Sequence, residues 1–439
     1  MREREAETAP AERPPIPEGT RRARLVPASL TPLRDRRFAR LFSATAGSVV
    51  GDNLVPVAIA FAVLQLTGSA SALGLVFAAR TVPLVAVVLA GGVWADRLPR
   101  TRLMITTDLV RAASQALLGA LLLSGHARIW ELVVLQAVHG TATAFFQPAV
   151  TGLVPQTVPP AYLQEANALL YLANSVGIIA GPALAGIVVA GWGPGWAFVV
   201  DAATFLVSAA FLAGIDVAAV RAADATRSFL RELAAGFAEV RSRRWLWSSV
   251  TYFALVQFVF AGPFYVLGPL ISARTLGGAG AWATILTAYG VGAVVGGLVV
   301  LHAHPSRPLV AAYAPLLAIA GANTLLATVG NLPLVAATEL LAGASVGVST
   351  TLWETTLQAN VPADRLSRVS AYDWMGSTAL RPVGFVVVGP VTALLSARST
   401  LLLSSAIVAA ATISIVALPA VHSLRPMEPE PAAEGGPDA

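Results

Sequence analysis

The segment Gly92-Val-Trp-Ala-Asp-Arg-Leu-Pro-Arg-Thr-Arg-Leu103 places four charged residues between two apolar runs, at 70–95 and 103–124. Each run has at least the roughly 20 residues that an α-helix needs to cross a bilayer. A short arginine-rich turn between two such runs is typical of the cytosolic side of a membrane protein. The segment therefore predicts two spanning helices that are joined in the cytosol.

The composition of the whole chain supports a membrane protein. Of 439 residues, 56% are hydrophobic and only 12% are charged, and the mean hydropathy is +0.71. Soluble domains carry about 25% charged residues, so the surplus apolar surface must face a lipid bilayer. The chain has no cysteine, which excludes disulfides and thiolate metal ligands. We expect no nucleic-acid partner, no metal and no cofactor.

Working outward from residues 92–103, we count twelve apolar runs and predict an all-α polytopic membrane protein. The first run is too long for a signal peptide, and only residues 67–71 separate it from the second. The runs lie at 38–66, 70–95, 103–124, 129–154, 165–190, 195–216, 245–272, 279–302, 308–329, 332–357, 369–396 and 398–420.

The distribution of arginine gives the orientation. All 29 basic residues are arginine. With the N-terminus in the cytosol, 23 of them fall in cytosolic segments, three in outside loops and three within helices. This is a strong positive-inside bias, and it accounts for the high pI without any nucleic acid. It predicts a multi-pass protein of the cell membrane with both termini in the cytosol.

The chain also carries traces of an internal duplication. Residues Val158-Pro159 recur as Val361-Pro362, and Gly181 recurs as Gly384, all at an offset of 203. Two parallel six-helix repeats with a substrate site between them are a known transporter architecture. We predict a disordered cytosolic tail (1–36), an N-terminal six-helix bundle (37–216), a cytosolic linker (217–244), a C-terminal six-helix bundle (245–420) and a second disordered cytosolic tail (421–439).

The loop after the second run resembles the signature of the major facilitator superfamily, G-x-L-A-D-R-x-G-R-K. The matching residues are Gly92, Ala95, Asp96, Arg97 and Arg100. Pro99 and Thr101 replace the second glycine and the lysine of the pattern. The resemblance implies the twelve-helix fold of that superfamily. The Asp96 carboxylate can accept hydrogen bonds from arginines and from a helix N-terminus, so we expect this loop to act as a gate.

A second motif lies in the fifth run. The sequence Gly177-Ile-Ile-Ala-Gly-Pro-Ala-Leu-Ala-Gly186 resembles the antiporter motif of the same superfamily through Gly177, Gly181, Pro182 and Gly186. Small residues four apart allow close helix approach, and proline bends a helix. Generic small-residue packing is the alternative explanation. Together with the loop motif, the resemblance implies export rather than import.

Further details resemble the macrolide-efflux and enterobactin-exporter branch, such as Gly51-Asp52 and Asp201-Ala-Ala-Thr-Phe205. The chain also departs from the superfamily. Gln136 replaces the arginine of the helix 4 motif, and that arginine is associated with proton handling in drug–proton antiporters. The loop at 302–307 lacks the signature of the second half.

Charges within the spans need a partner or a purpose, because each costs about 2.5–3.5 kcal/mol in mid-bilayer. Counted at about 1.5 Å per residue, Asp52, Arg80 and Arg381 lie at similar depths. Glu339 is nearer the outside, and Asp373 is nearer the cytosol. Two hypotheses remain open for Asp52: it titrates during transport, or it forms a static ion pair with Arg80. Asp108 and Arg111, three residues apart, suggest a local structural pair.

Polar residues in two other spans are candidates for a substrate cavity. Gln136, His139, Thr143 and Gln147 share one face of helix 4, and a polar stripe on an apolar helix is expected to avoid lipid. His139 is either a pH-sensitive group or a hydrogen-bonding residue. Helix 7 offers Tyr252 and Gln257 among several aromatic residues. Such residues suit a hydrophobic substrate, although packing explains many of them equally well.

These features predict a monomeric secondary transporter that exports a hydrophobic or amphipathic small molecule in exchange for protons. Uptake or facilitated diffusion is the alternative within transport. A membrane-embedded receptor or enzyme has no positive support, since the chain has neither a G-x-x-x-x-G-K-[ST] phosphate loop nor an H-E-x-x-H motif. We therefore expect no enzymatic activity.

The arginine bias predicts where reporter domains fused to the chain will lie. A reporter fused after Gly125 should be active outside the cell, and one fused after Arg425 should be active in the cytosol. Paired alkaline phosphatase and fluorescent protein fusions measure both positions. An outside C-terminus would mean that the spans have been miscounted, most simply at residues 67–71.

Overall fold

The computed structural model describes residues 28–97, 99–216, 238–300, 302–303 and 305–424, without the side chains of residues 28, 29, 88–97, 363, 364, 367, 368 and 371. Most of the two expected tails and of the expected linker lies outside these residues. Of the loop motif, Gly92, Ala95, Asp96 and Arg97 have no described side-chain surroundings.

The described chain is helical throughout and contains no strand. The first half contains α1 (Arg36–Leu66), α2 (Ala70–Arg97), α3 (Arg100–Leu123), α4 (Ile129–Leu153), α5 (Leu163–Trp192) and α6 (Pro194–Ala213). The second half contains α7 (Arg244–Leu276), α8 (Ala279–Val300), α9 (Pro308–Thr328), α10 (Leu332–Asn360), α11 (Ala363–Thr378 and Arg381–Leu395) and α12 (Ala397–Ala417).

Eleven helices among the described residues are long and apolar enough to cross a membrane. The twelfth, α3, has 24 residues but is less apolar because it carries Asp108, Arg111 and Gln115 in its middle. All three of these side chains are buried inside the protein, so they do not meet lipid. The predicted all-α fold with twelve helices in two six-helix bundles is confirmed.

Local signals set several helix ends. The Asp35 carboxylate accepts a hydrogen bond from the backbone N–H of Arg37 at 2.8 Å and so caps α1. The side chain of Asn331 caps α10 in the same way at 3.0 Å. Proline does not end a helix that is packed among others in a membrane, and α5 is continuous through Pro182.

Helix packing repeats between the two halves. In the first, α1 packs on α5 and α6, α2 on α4, and α3 on α4 and α6. In the second, α7 packs on α11 and α12, α8 on α10, and α9 on α10 and α12. Gly193 and Ser396, which precede α6 and α12 at the offset of 203, share a positive φ, 91° and 87°. Because a serine rarely adopts this conformation, the match supports a common origin of the halves.

The two bundles touch through two symmetric helix pairs, α5 with α8 and α2 with α11. A Cβ atom at Gly389 of α11 would lie 2.2 Å from the Ser71 Oγ of α2. The ring of Phe77 stacks on that of Phe385 at 5.3 Å and lies 6.4 Å from that of Tyr265. We call this contact of Ser71, Phe77, Tyr265, Phe385 and Gly389 the seal.

The bundles share a hydrophobic core only on the side of the seal. That core includes Leu54 to Val63 of α1 together with apolar residues of α7 and α8. At the end where α1 begins, Phe38, Leu41 and Leu212 belong to a separate core that contains described residues of the first bundle only. Within the described residues, the bundles therefore share an apolar core at one end and have separate apolar cores at the other.

Enlarging Gly389 should hold the seal open, because there is no room for a side chain against Ser71. We expect Gly389→Leu to speed maleimide labelling of a cysteine at Ala78→Cys several-fold. Ala78 is buried two turns along α2 from Ser71, and the chain has no cysteine of its own. Labelling of the purified protein in detergent measures the rate.

Gly321→Leu is the matched control, since a Cβ atom at Gly321 would meet nothing within 4 Å. Equal labelling rates in the two leucine variants would contradict a closed contact between α2 and α11.

Candidate functional site

Asp52 of α1 lies at the centre of a polar network inside the first bundle. Its Oδ1 accepts a hydrogen bond from the Arg80 guanidinium of α2 at 3.1 Å. Its Oδ2 lies 3.4 Å from the Arg111 guanidinium of α3. The Nε2 of His139 of α4 lies 3.2 Å from Oδ1. One carboxylate thus ties three other helices to α1.

Arg111 anchors the buried side of this network. It forms an ion pair with Asp108, one turn earlier in α3, and the Ser208 hydroxyl of α6 donates to the other Asp108 oxygen at 2.6 Å. The rings of Phe146 and Phe205 each lie 4.2 Å from the guanidinium carbon. The predicted pair of Asp108 and Arg111 exists, but Arg111 also reaches Asp52 and so is more than a local contact.

A chain of amides closes the network. Arg80 donates to the side-chain amide oxygen of Gln136 at 3.1 Å. Gln136 donates to Gln115 at 3.0 Å, and Gln115 donates to the Asp201 carboxylate at 2.7 Å. The remaining Asp201 oxygen and the His139 Nδ1 are buried and have no hydrogen-bond partner among the described residues. The network therefore contains free positions for a proton.

The network meets the space between the bundles at two residues. The side chains of Asp52 and Arg80 are 24% and 19% exposed, whereas those of Arg111, Asp108 and His139 are at most 2% exposed. Arg80 lies one turn along α2 from Phe77, which touches the second bundle in the seal. The exposed part of the network is thus next to the contact that closes one end of the protein.

The composition of the network suits a proton better than a metal ion. One ligand atom from each of Asp52, His139 and Asp201 lies within 4.8 Å of the other two. Both Asp52 oxygens, however, face arginine guanidinium groups. A divalent cation there would be repelled by two fixed positive charges and would compete with them for the same oxygens.

The expectation of a polar cavity wall on α4 is wrong for two of its four residues. Gln136 and His139 are fully buried within their own bundle, because Gln136 contacts α2 and α3 and His139 contacts α1 and α6. Thr143 is half-buried and donates to the His139 carbonyl at 2.9 Å, and Gln147 is exposed. A polar stripe avoids lipid equally well in a bundle interior and in a cavity.

Helix 7 shows the same distinction. Tyr252 is buried, and its hydroxyl shares a hydrogen bond with that of Thr412 at 2.9 Å. It is therefore part of the core of the second bundle and not of a cavity wall. Gln257 is half-buried and remains a candidate for substrate contact.

The three predicted charges of the second bundle do not join the network. Arg381 packs over the rings of Tyr265 and Phe385 at 5.3 and 5.6 Å. Asp373 accepts a hydrogen bond from the Trp353 indole at 2.9 Å. Glu339 is buried, and its Oε1 has no hydrogen-bond partner among the described residues. Arg381 is therefore not in contact with Asp52, although the sequence places both at a similar depth in the membrane.

The motif residues with described side chains take structural positions. Arg100 donates to the backbone carbonyl of Gly152 in α4. Cβ atoms at Gly177 and Gly181 would lie 2.4 Å from Val49 and Asn53 of α1, on either side of Asp52. Gly186 of the same motif faces Ala283 of α8 in the other bundle. The antiporter-like motif therefore brings α5 against the turn of α1 that carries Asp52.

Several members of the network were not predicted as site residues from the sequence. Gln115 and Ser208 were not chosen as site residues, and Asp201 was noted only within a resemblance. The signal was present, because each is a polar residue in the middle of an apolar span, where it needs a partner. Pairing α3 with α6 would have brought them together.

Comparison with known families identifies the chain. The sequence profile of the Major Facilitator Superfamily matches residues 41–384. The chain belongs to the Major Facilitator Superfamily. This confirms the resemblance inferred from the loop at 92–103.

Relatives within the superfamily include efflux proteins. The chain is 27% identical over 270 residues to macrolide efflux protein A of Streptococcus pyogenes, a match that covers 60% of this chain and 65% of that protein. It is 28% identical over 371 residues to the multidrug efflux pump Tap of Mycolicibacterium fortuitum, with 80% and 87% coverage. The crystal structure of the nucleoside transporter NupG has the same fold, with a TM-score of 0.70, 11% identity and 87% and 98% coverage.

Replacing Arg111 should destabilise the protein strongly. In Arg111→Met the buried Asp108 carboxylate loses its counter-charge, and breaking a buried pair on one side costs about 3–5 kcal/mol. We expect a clearly lower Tm in detergent than for Arg274→Met, which changes an exposed arginine. The double variant Arg111→Met with Asp108→Asn should regain part of the loss. A Tm for Arg111→Met equal to that of the control would contradict the anchoring role.

Proposed function

We propose that the chain is a secondary active transporter that exports a hydrophobic or amphipathic small molecule in exchange for protons. Membership of the superfamily and the two efflux relatives support transport and export. The antiporter-like motif in α5 favours the same direction. The chain acts as a monomer in the cell membrane, with both termini in the cytosol, and it is not an enzyme.

The observation that carries the coupling hypothesis is the exposure of Asp52. Of the three carboxylates in the network, Asp108 and Asp201 are fully buried, and Asp52 is partly exposed. A proton that enters from the space between the bundles therefore meets Asp52 first. His139 and Asp201 are close enough to share that proton.

Counting charges supports one bound proton. Asp52, Asp108 and Asp201 supply three negative charges, Arg80 and Arg111 supply two positive charges, and a neutral His139 adds none. A buried net charge is costly, so the network is stabilised by one additional proton. The free positions at the Asp201 carboxylate and the His139 ring can hold it.

The position of Arg80 suggests how a proton alters conformation. An ionised Asp52 holds the Arg80 guanidinium, and a neutral Asp52 holds it less strongly. Arg80 is one turn from Phe77, so this change acts next to the seal. With the N-terminus in the cytosol, the seal is at the outer end. A proton loaded when the seal opens is then released to the cytosol after it closes.

Asp52→Asn should separate proton coupling from substrate binding. The amide keeps the size and the hydrogen bonding of the side chain but cannot titrate. We expect proteoliposomes with this variant to lose efflux driven by a pH gradient and to keep exchange of a labelled macrolide down its own gradient. Asp373→Asn, a half-buried carboxylate of the other bundle, is the matched control and should remain coupled.

A static ion pair predicts a different result. Asp52→Asn would then leave Arg80 without its counter-charge and lower the folded yield, and Asp52→Asn with Arg80→Gln would restore both yield and transport. Efflux and yield are therefore measured on the same preparations. Full pH-driven efflux by the double variant would rule out Asp52 as the proton carrier.

A further inference from the structure

The duplication places Glu339 in the same position as Gln136. Gly140 and Gly343 are 203 residues apart, and both mark a close helix crossing. A Cβ atom at Gly140 would lie 2.0 Å from the Arg80 carbonyl oxygen, and one at Gly343 would lie 1.9 Å from the Tyr289 carbonyl oxygen. Tyr289 of α8 thus corresponds to Arg80 of α2. By the same offset, Glu339 of α10 corresponds to Gln136 of α4.

The corresponding pairs of side chains in the two bundles differ in charge. In the first bundle the cationic Arg80 donates to the neutral Gln136 amide. In the second bundle a neutral phenol, Tyr289, takes the place of the cation, and a carboxyl group takes the place of the amide. Glu339 is 1% exposed, and its Oε1 has no hydrogen-bond partner among the described residues. An ionised Glu339 would therefore be buried without a counter-charge in contact.

The side chains of the neighbouring helices do not supply that charge. From α8 and α7, Tyr289 and Tyr265 contribute phenol side chains and no arginine. From α11, the Arg381 guanidinium lies on the rings of Tyr265 and Phe385 and forms no ion pair with Glu339 within the described part of the chain. Helix α9 contains no charged residue, and its Tyr313 hydroxyl donates to Ser249. A buried carboxylate without a partner is far more costly than a neutral carboxyl group.

We propose that Glu339 is a second proton-binding site, which holds one proton in this conformation in place of the cation that Arg80 provides in the first bundle. The bound species is a proton on a carboxyl oxygen of Glu339, so no other reactant is needed. The role of Glu339 in transport, with one proton site in each bundle, rests on the proposed function. The binding of a proton to Glu339 does not depend on it.

The seal links this site to the conformational change. Arg381 rests on Phe385, and the Phe385 ring stacks on Phe77 across the two bundles. Opening the seal removes Phe77 from the Phe385 ring, so that this ring and the Arg381 guanidinium beside it can move. An arginine that then approaches Glu339 stabilises the ionised carboxylate and releases the proton.

Infrared spectroscopy of the purified full chain in detergent tests the proposal without a transported compound. A protonated carboxyl group has a carbonyl stretching band that an ionised one lacks. We expect Glu339→Gln to remove the equivalent of one such carboxyl group at neutral pH. Glu354→Gln, an exposed glutamate of the same helix, should remove none. Glutamine already occupies the equivalent position 136, so the variant is expected to fold.

The possible outcomes decide between the alternatives. An unchanged carboxyl band in Glu339→Gln would overturn the proposal, because it means that Glu339 is ionised in the parent. Loss of the parent band on adding NaCl, but not choline chloride, would overturn it in favour of a sodium site. If Glu339→Gln folds poorly, Glu339→Asp should shift the band in frequency and retain it. Failure of the Asp52 transport experiment alone would reject the proposed coupling and leave this result unaffected.

Discussion

Burying the Arg111 guanidinium inside a membrane bundle constrains the whole first half of the protein. Its charge cannot reach water, so the surrounding helices must supply compensating groups. Asp108 and Asp52 provide negative charge from α3 and α1, and Phe146 and Phe205 provide ring faces from α4 and α6. Moving any of these four helices would expose a buried charge, which is costly in a medium of low dielectric constant. The bundle is therefore expected to move as one body.

Sequence reasoning was most successful where a single variable decides the outcome. Span length and arginine placement predicted twelve helices, including the short break between α1 and α2. Depth in the membrane correctly matched Asp52 with Arg80. The same depth argument grouped Arg381 with them, although it lies in the other bundle against aromatic rings. Depth follows from counting residues, whereas contact depends also on the direction in which a side chain leaves its helix.

The cavity wall predicted from the polar stripe of α4 was wrong for Gln136 and His139 for a related reason. Its periodicity showed that Gln136 and His139 avoid lipid, and the structure places both in a protein interior. The sequence of a single helix does not distinguish a face in the bundle core from a face in a substrate cavity, because polar residues avoid lipid in both. The distinction depends on what α2, α3 and α6 carry at the same level. Here they carry Arg80, Gln115 and Asp201. Arg80 and Gln115 form hydrogen bonds with Gln136 of α4, and Gln115 also donates to Asp201.

The two bundles have the same pattern of helix packing but are stabilised by different interactions. The first relies on buried charges around Asp52. The second has a cluster of rings, in which Phe253 lies 5.7 Å from Tyr313 and 5.8 Å from Trp353. The first bundle is therefore held together by groups that respond to charge, and the second by aromatic packing in its buried core.

The contact between α2 and α11 in the seal is formed by small residues and aromatic rings. Between α2 and α11 the described contacts include Gly389 against Ser71, Gly74 against the backbone of Phe385, and a pair of stacked rings. An aromatic pair contributes about 0.5–1.5 kcal/mol beyond its buried area. Reversing a two-state population from 1:99 to 99:1 needs about 5.5 kcal/mol. Ion pairs across the seal would raise that requirement. In the proposed coupling, the change of charge takes place at Asp52 of α1, whose partner Arg80 lies one turn along α2 from Phe77.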